Sequence, residues 1–240
     1  MIELLRWCWS GKSQNLTAVL RKEMHESESH NPLIVRLARP EDMEAVYELT
    51  YVCYRQEGYC DMNEARRLVH YPHLDGIAET LVFVAEQAGA IVGTNSLTLD
   101  GPARLHVDED FPAEVASYRR EAQLHDRRLA ASWRIVTDPT CRALKVALEL
   151  MNVTMMYGWA FRVHAMLFSF NPKHERFYRK LLGLSSVAYG ACGSVNQAPG
   201  VLMHGWYRTM AEHWRKVVQR RDLQQMIPEA AYPSIAKDYR

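Results

Sequence analysis

The stretch "SFNPKHERFYRKLLGL", Ser169 to Leu184, limits the fold more than any other part of the chain. It begins inside "HAMLFSF", His164 to Phe170, an apolar and aromatic run of the length of a buried strand. Asn171 ends that run: its side chain can cap a helix, and Pro172 suits the first helical turn, where a missing N–H costs nothing. Phe177, Tyr178, Leu181 and Leu182 then recur at helical spacing on one side. Lys173, Arg176 and Lys180 fall on the other, and Gly183 supplies a left-handed stop. A strand therefore feeds a short helix that returns into a further strand, "LSSVAYGA". Such a unit belongs to a sheet flanked by helices, and alone it is compatible with plain α/β scaffolding.

The rest of the chain extends the pattern. "LIVRLA", Leu33 to Ala38, reads as a strand, and Pro40, Glu41 and Asp42 open a helix with acids at its positive end. "MNEARRLVHYP" is a short helix or a loop ended by Pro72. "TLVFVAE" and "AIVGTNSLTLD" form a β-hairpin around Gly89. "FPAEVASYRREAQLHDRRL" predicts an amphipathic helix, and "AASWRIVTD", from about Ala130, a strand. "RALKVALELMNVTMMYGWAF" is apolar nearly all round, with Arg142, Lys145, Glu149 and Asn152 as its polar stripe, so that helix is expected to be buried on most sides. Strands at Ser185 to Tyr189 and in "PGVLMHGWYR", then the amphipathic helix "TMAEHWRKVVQRRDLQQM", complete the order. The predicted class is α/β (α+β), a mixed central sheet with flanking helices. Residues 1–32 read as an extension with the polar linker "HESESHNP", 33–210 as one domain, and 211–240 as a helix and a tail loose from Ile227. Trp7 and Trp9 are expected to pack on the domain body or on a partner.

Several function classes are disfavoured. A formal charge of +1 gives no global field toward nucleic acid or a membrane, so neither is expected as a partner. The five cysteines are odd in number and scattered, no pair has metal-ligand spacing, and a reduced cytoplasmic protein without a metal is the expectation. The apolar part of "MIELLRWCWSGK" is too short for a signal peptide, and no run reaches membrane-spanning length. Glycine-rich nucleotide motifs, nucleophile elbows and H-E-x-x-H are absent. His70 and His73, beside a proline loop, read as capping or solvent residues rather than ligands.

Five blocks in order, "VRLARPEDMEAVYEL…YRQEGY", "LVFVAEQAGAIVGTNSLTLDGP", "WRIVTDPTCR", "FNPKHERFYRKLLGL" and "YGACGSVNQAPGVLM", resemble the N-acyl amino acid synthases. These are acyltransferases of the GNAT fold, related to the acyl-homoserine lactone autoinducer synthases. The resemblance runs from about Leu33 to Tyr207. It implies amide formation between a fatty acyl thioester, carried on acyl carrier protein or coenzyme A, and the amine of an amino acid, with no tightly bound cofactor. An acetyl-CoA-dependent N-acetyltransferase and a non-catalytic acyl-binding module are the alternatives. The fold implied has two central parallel strands, here "AASWRIVTD" and "HAMLFSF", that splay apart to admit the acyl-pantetheine arm.

The resemblance also implies roles. Tyr178 falls where relatives place a tyrosine that protonates the leaving thiolate, although a core tyrosine explains the residue equally. Arg134 matches the arginine of the fourth strand's E-x-x-R-like pattern, while Ala131 occupies the acid position, so the amine-deprotonating base is missing. Glu57, Glu86 or a water are candidate substitutes. Trp133, Ile135, Val136, Phe168, Phe170 and Asn171 would line the acyl-pantetheine cleft. Arg142 and Lys145, in a loop with no glycine, would grip one phosphate or an acidic carrier surface, or merely solvate the helix. Arg55 and Tyr54 would receive the amino acid. Met151, Met155, Met156 and Met166 suit an adaptable apolar channel or ordinary core packing.

Overall fold

The computed structural model describes residues 32–141 and 143–218. The expectations for Trp7, Trp9, Arg142, the segment before Pro32 and the tail from Ile227 lie outside the described residues. Seven strands form one sheet: β1 (Ile34–Leu37), β2 (Thr80–Gln87), β3 (Ala90–Leu99), β4 (Arg128–Thr137), β5 (Val163–Phe170), β6 (Ser185–Cys192) and β7 (Ala198–Trp206). The helices are α1 (Met43–Gln56), α2 (Pro112–Leu124), α3 (Ala143–Ala160), α4 (Glu175–Leu182) and α5 (Tyr207–Val218). The strand order is β1-β2-β3-β4-β5-β7-β6, and only β4 and β5 run parallel. The mixed sheet with flanking helices is thus present, with a larger antiparallel share than consecutive βαβ units would give.

The alternation of side chains sets the layers. In β4, Leu129 and Ala131 join an apolar cluster with Val115 and Ala122 of α2, while Ala130 joins the cluster built on α3. In β5, Ala165 and Leu167 face the first cluster and Met166 and Phe168 the second, as period-two geometry requires. Each large side chain fully buried in this way contributes roughly 1.5–3 kcal/mol.

The strand–helix unit at Ser169 forms as its residues dictate. The Asn171 side chain accepts from the Lys173 N–H at 3.1 Å, a single 3-10 turn at Pro172–His174 precedes α4, and Phe177, Tyr178, Leu181 and Leu182 are buried. Gly183 ends the helix at φ 67°, where a β-carbon would meet the His213 ring at 2.7 Å.

One boundary differs from expectation. Arg128 and Leu129 belong to β4 rather than to the preceding helix, because Arg128 pairs with Val163 in the sheet. Of the two readings of "MNEARRLVHYP" the loop holds: residues 61–79 contain turns and no helix. The polar stripe of α3 is not a solvated face: Glu149 and Asn152 are 8% and 7% exposed, and Asn152 Oδ1 accepts from Trp214 Nε1 of α5 at 3.3 Å. No described helix is long and apolar enough to cross a membrane.

Candidate active site

β4 and β5 pair only from Arg128/Val163 to Ala131/Leu167. Beyond that point each strand keeps a different neighbour: Ser132 to Thr137 stay on β3, while Phe168 to Phe170 stay on β7. The two strands therefore separate, as expected, and the edges that face each other lack a strand partner. A β-bulge sharpens the opening, because Ser96 pairs with Trp133 and Thr94 with Val136, leaving Arg134 and Ile135 opposite Asn95 alone. Arg134 takes a left-handed backbone, φ 55°, which for a non-glycine residue costs on the order of 1–3 kcal/mol.

The side chain of Arg134 holds that conformation. It is wholly buried, with two parallel hydrogen bonds to Asp75 at 2.7 and 2.9 Å and further bonds to Ser96 Oγ at 2.8 and 3.1 Å. Its guanidinium lies 4.5 Å from the Trp133 ring centre. The pair ties the irregular loop around Tyr71–Gly76 to the bulge, so a strained strand and a loop without regular structure fix each other.

A cavity of about 130 Å³ occupies the opening. β4 lines it with Ser132, Trp133, Ile135 and Val136, and β5 with Phe170 followed by Asn171. Tyr54 and Glu57 reach it from α1 and beyond, Tyr59, His70 and Tyr71 from the following loop, and His106, His174 and Tyr178 from three further segments. β6 and β7 close it with Cys192 and Gly200, where a β-carbon on Gly200 would sit 2.2 Å from Cys192 Sγ. Only glycine lets the two strands approach there.

The charges inside are quenched or balanced. Burial holds the His70 and His106 imidazoles at about 3 and that of His174 at about 4, so all three are neutral at ordinary pH. Glu57 forms an ion pair with Lys173. Burial raises the phenols of Tyr54 and Tyr178 above their ordinary value. Tyr178 stacks on Phe170 with ring centres 3.8 Å apart. Tyr54 Oη lies 3.1 Å from His70 Nδ1.

Beyond Tyr178, Phe170, Ser132 and Ile135, a second, mostly apolar gap of about 20 Å³ continues toward α3 and α5. Met151, Met155, Met166, Phe168 and Met210 line it. Its polar rim is a closed chain: Ser132 Oγ donates to Asn95 Oδ1 at 3.0 Å, Asn95 Nδ2 to Thr154 Oγ1 at 2.7 Å, and Thr154 Oγ1 to the Leu150 carbonyl at 2.8 Å.

Of the residues singled out from sequence, the structure brings Tyr54, Trp133, Arg134, Ile135, Val136, Phe170, Asn171 and Tyr178 to one cavity and Phe168 to the adjoining gap. Arg55 is exposed at the end of α1 and does not line the cavity, because Tyr54 takes the inward position. Lys145 is half-buried in the first turn of α3 and lines neither space. Met156 also lies outside both. Glu86 pairs with Arg36 at 2.8 Å, away from the cavity. His70, read as a capping or solvent residue, is instead inside, whereas His73 is exposed and 3.6 Å from Glu109. His106 and His174 carry no local pattern that marks them as site residues.

The N-acyl amino acid synthase FeeM family profile matches residues 45–205. Among solved structures, FeeM, an N-acyl amino acid synthase from uncultured soil microbes, superimposes with a TM-score of 0.65 at 23% identity, over 82% of this chain and 99% of that one. The acyl-homoserine lactone synthase LasI gives 0.58 at 13% identity, over 78% and 96%. A GNAT-family acetyltransferase from Staphylococcus aureus Mu50 gives 0.50 at 13% identity, over 73% and 99%. A search of curated protein sequences finds no match. The structural likenesses establish the fold, and the family profile spans two thirds of the chain. This chain therefore belongs to the N-acyl amino acid synthase family and has the GNAT fold.

Proposed function

We propose that the protein joins a fatty acyl group from a thioester, on acyl carrier protein or coenzyme A, to the amine of an amino acid. The observation that carries this reading is the parting of β4 and β5 around a polar cavity that continues into an apolar gap. An extended pantetheine arm bears amides that can pair with the free edges of Ser132–Val136 and Phe168–Phe170, as an added strand does. The acyl chain then lies on the methionine side and the amino acid on the side of the imidazoles and phenols.

Catalysis in this arrangement is direct attack of the amine on the thioester carbonyl, without an acyl-enzyme. Confinement of both reactants in one small cavity supplies much of the rate, and strand N–H groups next to the bulge stabilise the oxyanion. Tyr178 protonates the departing thiolate; its raised pKa keeps the phenol protonated until a sulfur anion forms beside it. Arg134, committed to Asp75, acts as a positioning residue for the bulge rather than as a group that touches substrate. Tyr54 belongs to the amino-acid side. The loop after β4 supports the carrier-bound donor over coenzyme A. It contains no glycine, and Asp138 Oδ1 already accepts from the N–H and hydroxyl of Thr140 at 2.8 and 2.7 Å, which leaves less free backbone for a diphosphate.

The test is incubation with acyl-carrier protein or acyl-CoA and a pool of amino acids, with mass detection of N-acyl products. A product of mass fatty acid plus amino acid minus water is expected. Bound lipid without turnover, from any donor and acceptor, overturns the reading in favour of an acyl-binding module.

A further inference from the structure

We propose that His70 Nε2 accepts the proton released by the attacking amine, with Tyr54 holding the ring in the tautomer that leaves this nitrogen bare. The inference rests on the acyl-transfer reading and adds the base that the sequence lacks. Ala131, at the position where a carboxylate is expected, is completely buried among apolar side chains including Leu129 and Leu167. Glu57 lines the cavity but is held by Lys173, and Glu86 is held by Arg36. Neither substitute considered from the sequence is free to take a proton in the opening.

His70 is. It lines the cavity, and its Nε2 is out of solvent with no hydrogen-bond partner among the described residues. A buried nitrogen without a partner costs about 1–3 kcal/mol, an expense usually tolerated only where a ligand completes the bond. Tyr54 Oη at 3.1 Å from Nδ1 gives the ring a second anchor. When Nδ1–H donates to that oxygen, Nε2 is the acceptor. Burial first, and then His106 and Arg134 nearby, oppose a positive charge on the ring, while the Ser194 backbone favours one. Formation of the C–N bond makes the nitrogen-bound proton more acidic than in the free amino acid, which lowers the basicity that Nε2 must supply.

The step balances. The amine lone pair forms the C–N bond, the carbonyl electrons move to oxygen, and the nitrogen-bound proton passes to Nε2. The C–S bond then breaks, and the thiolate takes the Tyr178 proton. Imidazolium and phenolate exchange the remaining proton through water.

Two measurements decide it. In the active enzyme, His70→Ala is expected to lower kcat by about 10²–10⁴-fold with KM for the amino acid changed less than threefold, and added imidazole is expected to restore part of kcat. His70→Gln covers the case in which the alanine variant does not fold. Unchanged kcat, or a loss confined to KM, overturns the proposal. In the wild-type protein, nitrogen-15 spectra of the histidine rings, assigned with His70→Gln, should show Nε2 bare and Nδ1 protonated; Tyr54→Phe should abolish that preference. A protonated Nε2 overturns the proposal whether or not the enzyme turns over. Absence of any product from the wild type sinks the acyl-transfer reading instead, and the spectra still report on the ring.

Discussion

The two spaces that meet at Tyr178 are built on opposite plans. The cavity is lined by imidazoles, phenols and Glu57, whose charge Lys173 balances. The gap on the α3 side is mostly apolar and includes four methionines, whose flexible thioethers adapt to what enters. One side is rigid because charge and hydrogen bonds must be aimed; the other is compliant because an alkyl chain asks only for volume. The strands that part between them serve both.

That contrast can be broken from either side. The largest effect is expected from Arg134→Ala: it strands Asp75, removes the support of the left-handed bulge, and should cost about 3–5 kcal/mol, read as a large fall in the thermal midpoint. If the midpoint barely moves, the cavity is not held by that pair. On the compliant side, Met155→Ala should cost only about 2 kcal/mol, since neighbouring methionines can relax into the space, and should shift preference toward longer acyl donors. Equal preference across chain lengths would show that the acyl group lies elsewhere. The smallest effect concerns pH. Unfolded, His106 titrates near 6.5, and folded at about 3, so between those values only the unfolded chain binds the proton. Its contribution to stability is complete above 6.5 and falls by at most about 1.4 kcal/mol per unit as pH drops toward 3. Thermal midpoints measured from pH 7 to 5 should fall, and less so in His106→Gln.

How much of this could be read from the chain depended on distance along it. Asn171, Pro172 and Gly183 encode their own backbone geometry, so the strand–helix unit and the place where the sheet opens were legible. Tyr178, Phe170, Trp133 and Ile135 followed, because they lie on elements with clear periodicity. The partner of Arg134 was not legible: Asp75 lies 59 residues away in a segment with no repeat to place it. His70, His106 and His174 were missed for the same reason, since a histidine's role is set by what folds around it. The charged "HDRRL" continued a helical pattern, and sheet pairing at Arg128 overrode it. The burial of the α3 helix on most sides was legible, but the partner of Asn152 was not, because the sequence does not show that α5 returns to place Trp214 against it.

The insertion of β7 between β5 and β6 has a consequence for biosynthesis. Emerging from the ribosome, a chain that has reached α4 has already made both diverging strands, yet β5 still offers one bare margin to any passing polypeptide. Ala198, Pro199 and Gly200, which line the cavity, arrive on the same late segment that seals this margin. A product stopping before residue 198 therefore lacks both part of the cavity wall and the strand that covers β5, and is expected to aggregate.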